Sequence, residues 1–156
     1  MARTNAQLNA EKWVVNEGLS DFPGGPFTGR KARLQWGGDF AFDVVNADES
    51  IVGNISTSSV FTARNKRGVA KIQKIKCDTL YLMYAKKAKK RLLIFTEANM
   101  KSYFEKEVSN GRFPKGVKLL YIALPRDLQM AVETARQEAS DETTPEGMKK
   151  QREKVQ

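Results

Sequence analysis

One aspartate and a row of small polar side chains are the residues whose spacing carries chemical meaning in this sequence. Asp43 interrupts the apolar stretch FAFDVV, and the next stretch, IVGNISTSS, places Asn54, Ser56 and Ser58 two residues apart. Successive side chains of a strand point to opposite faces, so these three share one face and Ile51, Gly53 and Ile55 the other. A polar row where apolar residues belong marks either a sheet face open to water or the wall of a cleft. A carboxylate on one strand beside a carboxylate-x-lysine on the next is a way to hold Mg²⁺. The carboxylates bind the ion, the ion activates water, and the lysine supports the developing charge. Asp43 is the candidate metal ligand for that chemistry.

The rest of the composition narrows the choices. Histidine is absent, which removes every mechanism built on an imidazole base or ligand. The single cysteine, Cys77, excludes an intramolecular disulfide and a Cys-rich zinc site, and reads as a buried thiol in a reducing compartment. Chemistry is thus left to carboxylates, lysines and a hard divalent ion. Lys and Arg number 27 against 18 Asp and Glu, a net charge of +9. Nucleic acid is the commonest polyanion such a surface meets, with anionic membrane second. The N-terminal MARTNAQLNAEKW lacks the apolar run of a signal peptide, and no stretch has the apolar length to span a bilayer. The expectation is a soluble, cytoplasmic protein without a membrane partner.

The elements that must position these residues follow from periodicity. A helix is predicted over 5–19, a Pro- and Gly-rich loop after it, and a half-buried strand over 31–36 with Ala32, Leu34 and Trp36 on its inner side. FAFDVV and IVGNISTSS complete an antiparallel meander. From 69 to 84 the period becomes helical, with Ile72, Ile75, Thr79 and Leu82 inward, widened by Val69, Leu80 and Met83. KKAKKR (86–91) is read as closing that helix, where cations suit the macrodipole, or equally as a nucleic-acid patch or a localisation signal. LLIFT is a strand buried on both faces, 99–108 a short helix, VKLLYIALP a last strand too apolar for an exposed edge, and 126–139 a helix. The order αβββαβαβα predicts a central mixed sheet of about five strands flanked by helices in one domain, 1–139. Its core would be 5–125, with 140–156 a disordered charged tail.

Several cations invite a phosphate. GGPFTGRK (24–31) has the glycines of a P-loop but the wrong residues after them and the wrong context. Its Arg30 and Lys31, with Arg33 on the next strand, remain candidate phosphate contacts. Arg67, Lys71 and Lys74 would form a cationic line along one helix face.

Element order and spacing resemble the PD-(D/E)xK nuclease superfamily, the restriction-endonuclease-like fold. In such families the third strand often reads acid-x-Lys and then small hydroxyl residues. Here GNISTSSV occupies that place. Asp43 matches the motif aspartate, Asn54 stands where the second acid belongs, and Ser56 where the lysine belongs. The helix GVAKIQKIKCDTLYLMY and the strand RLLIFT resemble the family's continuation, over about residues 5 to 125. The likeness implies a catalytic set of Asp43, Asn54 and Ser56 that has lost two of its three charges. Motif residues in this superfamily migrate between elements, so Lys71 or Lys74 would replace the lysine and Glu17 the acid, with Glu11, Asp39 and Glu97 less well placed. The leading expectation is a catalytically degenerate nuclease-like domain that binds DNA or RNA through phosphates near Asp43. The alternatives are a Mg²⁺- or Mn²⁺-dependent endonuclease with migrated residues, and a structural or regulatory domain that binds protein, including its own copy as a homodimer.

Overall fold

The computed structural model describes residues 3–142. Helix α1 (Asn5–Trp13) starts at a capping box, in which the Gln7 amide donates to the Thr4 hydroxyl and the Thr4 amide to the Gln7 side chain. It runs into a π-helical turn, Val14–Gly18. Strands β1 (Thr28–Arg33), β2 (Asp39–Val45) and β3 (Ile51–Ser56) follow, then α2 (Val69–Met83), β4 (Lys90–Phe95), α3 (Ala98–Ser109), β5 (Lys118–Tyr121) and α4 (Arg126–Glu142). The strands form one mixed sheet in sequence order. The first three pair antiparallel, and β3, β4 and β5 pair parallel through the helical crossovers. The fold is thus α/β, a five-stranded mixed sheet flanked by helices, in the expected element order.

Alternation along the central strands sorts the core into two layers. Val52, Leu93 and Phe95 pack with Ile72, Ile75 and Leu82 of α2 and with Met100 and Phe104 of α3. Ile51, Ile55, Leu92 and Ile94 pack on the other face with Val14, Leu19 and Phe27. Strand β4 is buried on both faces, as its unbroken apolar run requires. Truncating Phe95 or Phe104 to alanine would cost about 3–5 kcal/mol.

Six of these expectations are corrected. The first strand ends at Arg33, and Trp36 lies in the following turn, 57% exposed instead of inward. Leu34 and Gln35 pair with Ala85 and Tyr84 beyond the end of α2, which stops the ladder early. The segment 86–91 does not continue the helix: Lys90 and Arg91 open β4, and Arg91 Nε donates to the Leu82 carbonyl from there. Strand β5 is an edge strand whose Tyr121 is half exposed. Val69 and Leu80 are exposed, because the inward stripe of α2 is narrower than its apolar content. Cys77, two residues past Ile75, is exposed for the same reason. Helix α4 reaches Glu142, beyond residue 139, and the rest of the expected tail lies outside the described residues. Among the described residues no helix is long and apolar enough to cross a membrane.

Candidate nucleic-acid interface

The sheet opens where the aspartate stands. Strands β2 and β3 pair only at Val45 with Val52 and at Val44 with Gly53. Beyond that, side chains replace the ladder. The Ile55 amide donates to Asp43 Oδ2 at 2.8 Å, and the Asp43 amide donates to Asn54 Oδ1 at 3.4 Å. A gap in a sheet would leave buried amides without acceptors, and this clasp supplies them. It also lets groups from both layers meet across the seam.

From one layer come Arg3 and Glu11. The Arg3 guanidinium donates to Glu11 Oε2 at 2.9 Å and to Asp43 Oδ1 at 3.3 Å, so it bridges the two carboxylates. Both acids are mostly covered, with side chains 14% and 12% exposed. Burial, and then the nearby Asp43 charge, push the Glu11 carboxyl up to about 7 in spite of Arg3. Burial pulls the Arg3 guanidinium down, but Asp43 and Glu11 outweigh it and leave it raised.

From the other layer come Lys71 and Lys74 of α2. Lys74 lies close enough to Glu11 to lower its carboxyl, and pairs with Asp78 at 2.9 Å. Arg136 of α4 donates to the Thr57 carbonyl at 2.8 Å and to Glu97 at 3.1 Å. Lys71 is half-buried and forms no ion pair among the described residues. Burial lowers its pKa first, and the charges of Lys74 and Arg136 lower it further. In the free protein its charge is therefore held at a cost.

Asn54 and Ser56 are both buried. The Asn54 Nδ2 is the one buried side-chain nitrogen or oxygen among the described residues without a hydrogen-bond partner. The orientation of that amide is fixed by the Asp43 N–H, which needs an oxygen acceptor, so the unused atom is a donor. Ser56 Oγ accepts from the Ser58 amide at 3.4 Å.

The other expected residues lie elsewhere. Glu17 is exposed on the π-helical turn and makes no ion pair or hydrogen bond with Asp43; Glu11, further up the same helix, is the acid that reaches it. Arg30 is turned to the carbonyls of Asn46 and Ala47 and to Glu49, so it is engaged in holding the β2–β3 turn. Lys31 and Arg33 are exposed on the edge strand β1. Arg67 precedes α2 and lies 5.5 Å from the Tyr103 ring centre, so the cationic helix line is Lys71 and Lys74 alone. Asp39 is exposed near the β1–β2 turn, and Glu97 is held by Arg136. Arg3 and Arg136 were invisible as site residues, since each arrives from a distant element. The capping signal TNAQ fixes where α1 begins and so places Arg3 just outside it.

These groups suit an anion better than a hard cation. Among the described residues no three of His, Cys, Asp and Glu come together as a metal site. Asp43 and Glu11 are both engaged by Arg3, and the free group on Asn54 is an N–H donor, which a cation repels. Mg²⁺ and Mn²⁺ prefer several anionic oxygens, so the pair as it stands does not fit them. Comparison with family models, with curated proteins and with solved structures found no match to this chain.

Proposed function

We propose that this is a nucleic-acid-binding domain of restriction-endonuclease-like fold that seats a phosphate at the β2–β3 seam. The observation that carries the reading is Lys71. It is a half-buried cation pressed by two others with no acid of its own, and an arriving phosphate would relieve it. The unpartnered Asn54 Nδ2 is sealed from solvent, so it would meet the ligand only if the seam opened. The net charge of +9 supplies the long-range attraction. The partner class is DNA or RNA.

The test is binding of a labelled duplex and a labelled single-stranded RNA across a salt series. Log affinity should fall with log salt by about 0.9 per neutralised phosphate. Lys71→Ala with Lys74→Ala should reduce that slope by one to about two units. A flat salt dependence, or a slope untouched by the double variant, would sink the proposal.

A second reading is a Mn²⁺- or Mg²⁺-dependent phosphodiesterase, favoured by the meeting of Glu11 with Asp43. It requires Arg3 to leave the acids. Incubation of plasmid with Mn²⁺ decides it: cleavage by the parent and not by Glu11→Ala or Asp43→Ala would establish it.

A further inference from the structure

A second surface, at the far end of α2, offers a different contact. Five aromatic rings form a chain there. Phe42, 2% exposed, meets Phe40 edge-on at 4.8 Å between ring centres. Phe40 stacks on Tyr81 at 4.2 Å. Tyr81 meets Trp36 edge-on at 6.3 Å, and Trp36 stacks on Tyr84 at 4.3 Å. The chain thus leads from the core to an indole more than half exposed. Trp36 does not sit on a loose loop. The Gln35 amide donates to the Tyr84 carbonyl, Lys86 to that of Arg33, and Leu34 and Gly38 close the turn. Beside it, Gly37 and Gly38 have open space where side chains would be, and Gly37 has a φ of +97°. One face of the indole is covered by Tyr84, and an exposure of 57% leaves the other to solvent.

The surroundings are cationic. Lys31, Arg33 and Lys86 are exposed on the chain either side of the platform and form no ion pair among the described residues, while Asp39 is exposed opposite Arg33 and Glu49 accepts from the Arg33 amide. Lys87 is paired with Glu49. An apolar ring face with an excess of cations around it matches a nucleobase between its two phosphates. Lys74 and Tyr81 lie seven residues apart on one face of α2, and Tyr84 is a turn further. The platform is therefore about 15 Å along the helix from Lys74 and about 20 Å from Lys71 at 1.5 Å per residue, a span of a few nucleotides.

We infer that Trp36 is a stacking platform for an unpaired nucleobase, on a strand whose phosphate is held at the β2–β3 seam. The inference rests on the nucleic-acid reading and adds single-strand preference to it. The test uses full-length protein and a fluorescently labelled oligothymidylate, following label anisotropy and indole emission. Emission should be quenched on binding, since Trp13 is partly packed in the core and Trp36 is not. Trp36→Ala should weaken binding about tenfold at fixed salt with the salt slope unchanged, and Trp36→Phe should recover most of that. Salt-dependent binding without quenching, and with equal affinity for the parent and Trp36→Ala, would overturn the platform and leave the seam standing. No binding of any nucleic acid would overturn both. A dimer that Trp36→Ala dissociates, with oligonucleotide affinity unchanged, would assign the ring to a second copy and overturn the inference.

Discussion

The seam and the hairpin tip solve the same electrostatic problem in opposite ways. At the seam nearly every charge has an internal partner: Arg3 with Glu11 and Asp43, Lys74 with Asp78, Arg136 with Glu97. What remains for a ligand is Lys71. At the tip Lys31, Arg33 and Lys86 are exposed and form no ion pair among the described residues, and the fixed element is a stack of rings. A site made of a small uncompensated excess should be sensitive to single charge changes and to pH. A site made of an exposed ring should be sensitive to the ring and indifferent to pH.

Reversing the excess gives the largest expected effect. Lys71→Glu should lower nucleic-acid affinity at low salt by about a hundredfold, through a lost contact and an added repulsion, measured by anisotropy. Adding an acid to the seam comes next. Asn54→Asp removes the orphan donor and places a third carboxylate beside Asp43 and Glu11. The apo protein should lose roughly 2 kcal/mol, and Mn²⁺ should raise its melting temperature, whereas the parent should show no such rise.

The pH response is smaller and confined to the seam. Glu11 keeps its proton to about pH 7 when folded but only to its ordinary 4.5 when unfolded. Between those values the unfolded chain has lost the proton that the folded one retains, so stability falls as pH rises through that window. Glu11→Gln should abolish the fall and gain about 2 kcal/mol at pH 8 against little at pH 4, read by urea denaturation. The smallest effect is expected at Arg30. Arg30→Ala should cost about 1 kcal/mol of stability through the β2–β3 turn and change nucleic-acid affinity less than twofold.

Why some of this could be read in advance follows from how local each signal is. The unbroken run LLIF and the stripe Ile72, Ile75, Thr79, Leu82 declare their elements within one window, and both are buried as expected. Trp36 was placed inward because it continues the alternation of Ala32 and Leu34. Pairing of Leu34 with Ala85, a contact across half the domain, ends the strand before the alternation does. Asp43 stood out because it interrupts an apolar strand. Arg3 and Arg136 carried no such mark, since their roles exist only where α1, β3 and α4 converge. Glu11 and Glu17 were equivalent by type, and only the rotation and π-bulge of the first helix separate them.

The clasp at Asp43 has a mechanical consequence. Along β2 and β3 two paired positions are followed by two side-chain hydrogen bonds, while the far end of the β1–β2 hairpin is pinned to the segment after α2 through Leu34, Gln35 and Lys86. The seam is therefore a local weak point between two anchored regions, and Trp36 belongs to one of the anchors. Amide exchange at Ile55, whose proton is held by the Asp43 carboxylate, should speed up in Asp43→Ala. A ligand seated at the seam should slow exchange at Ile55.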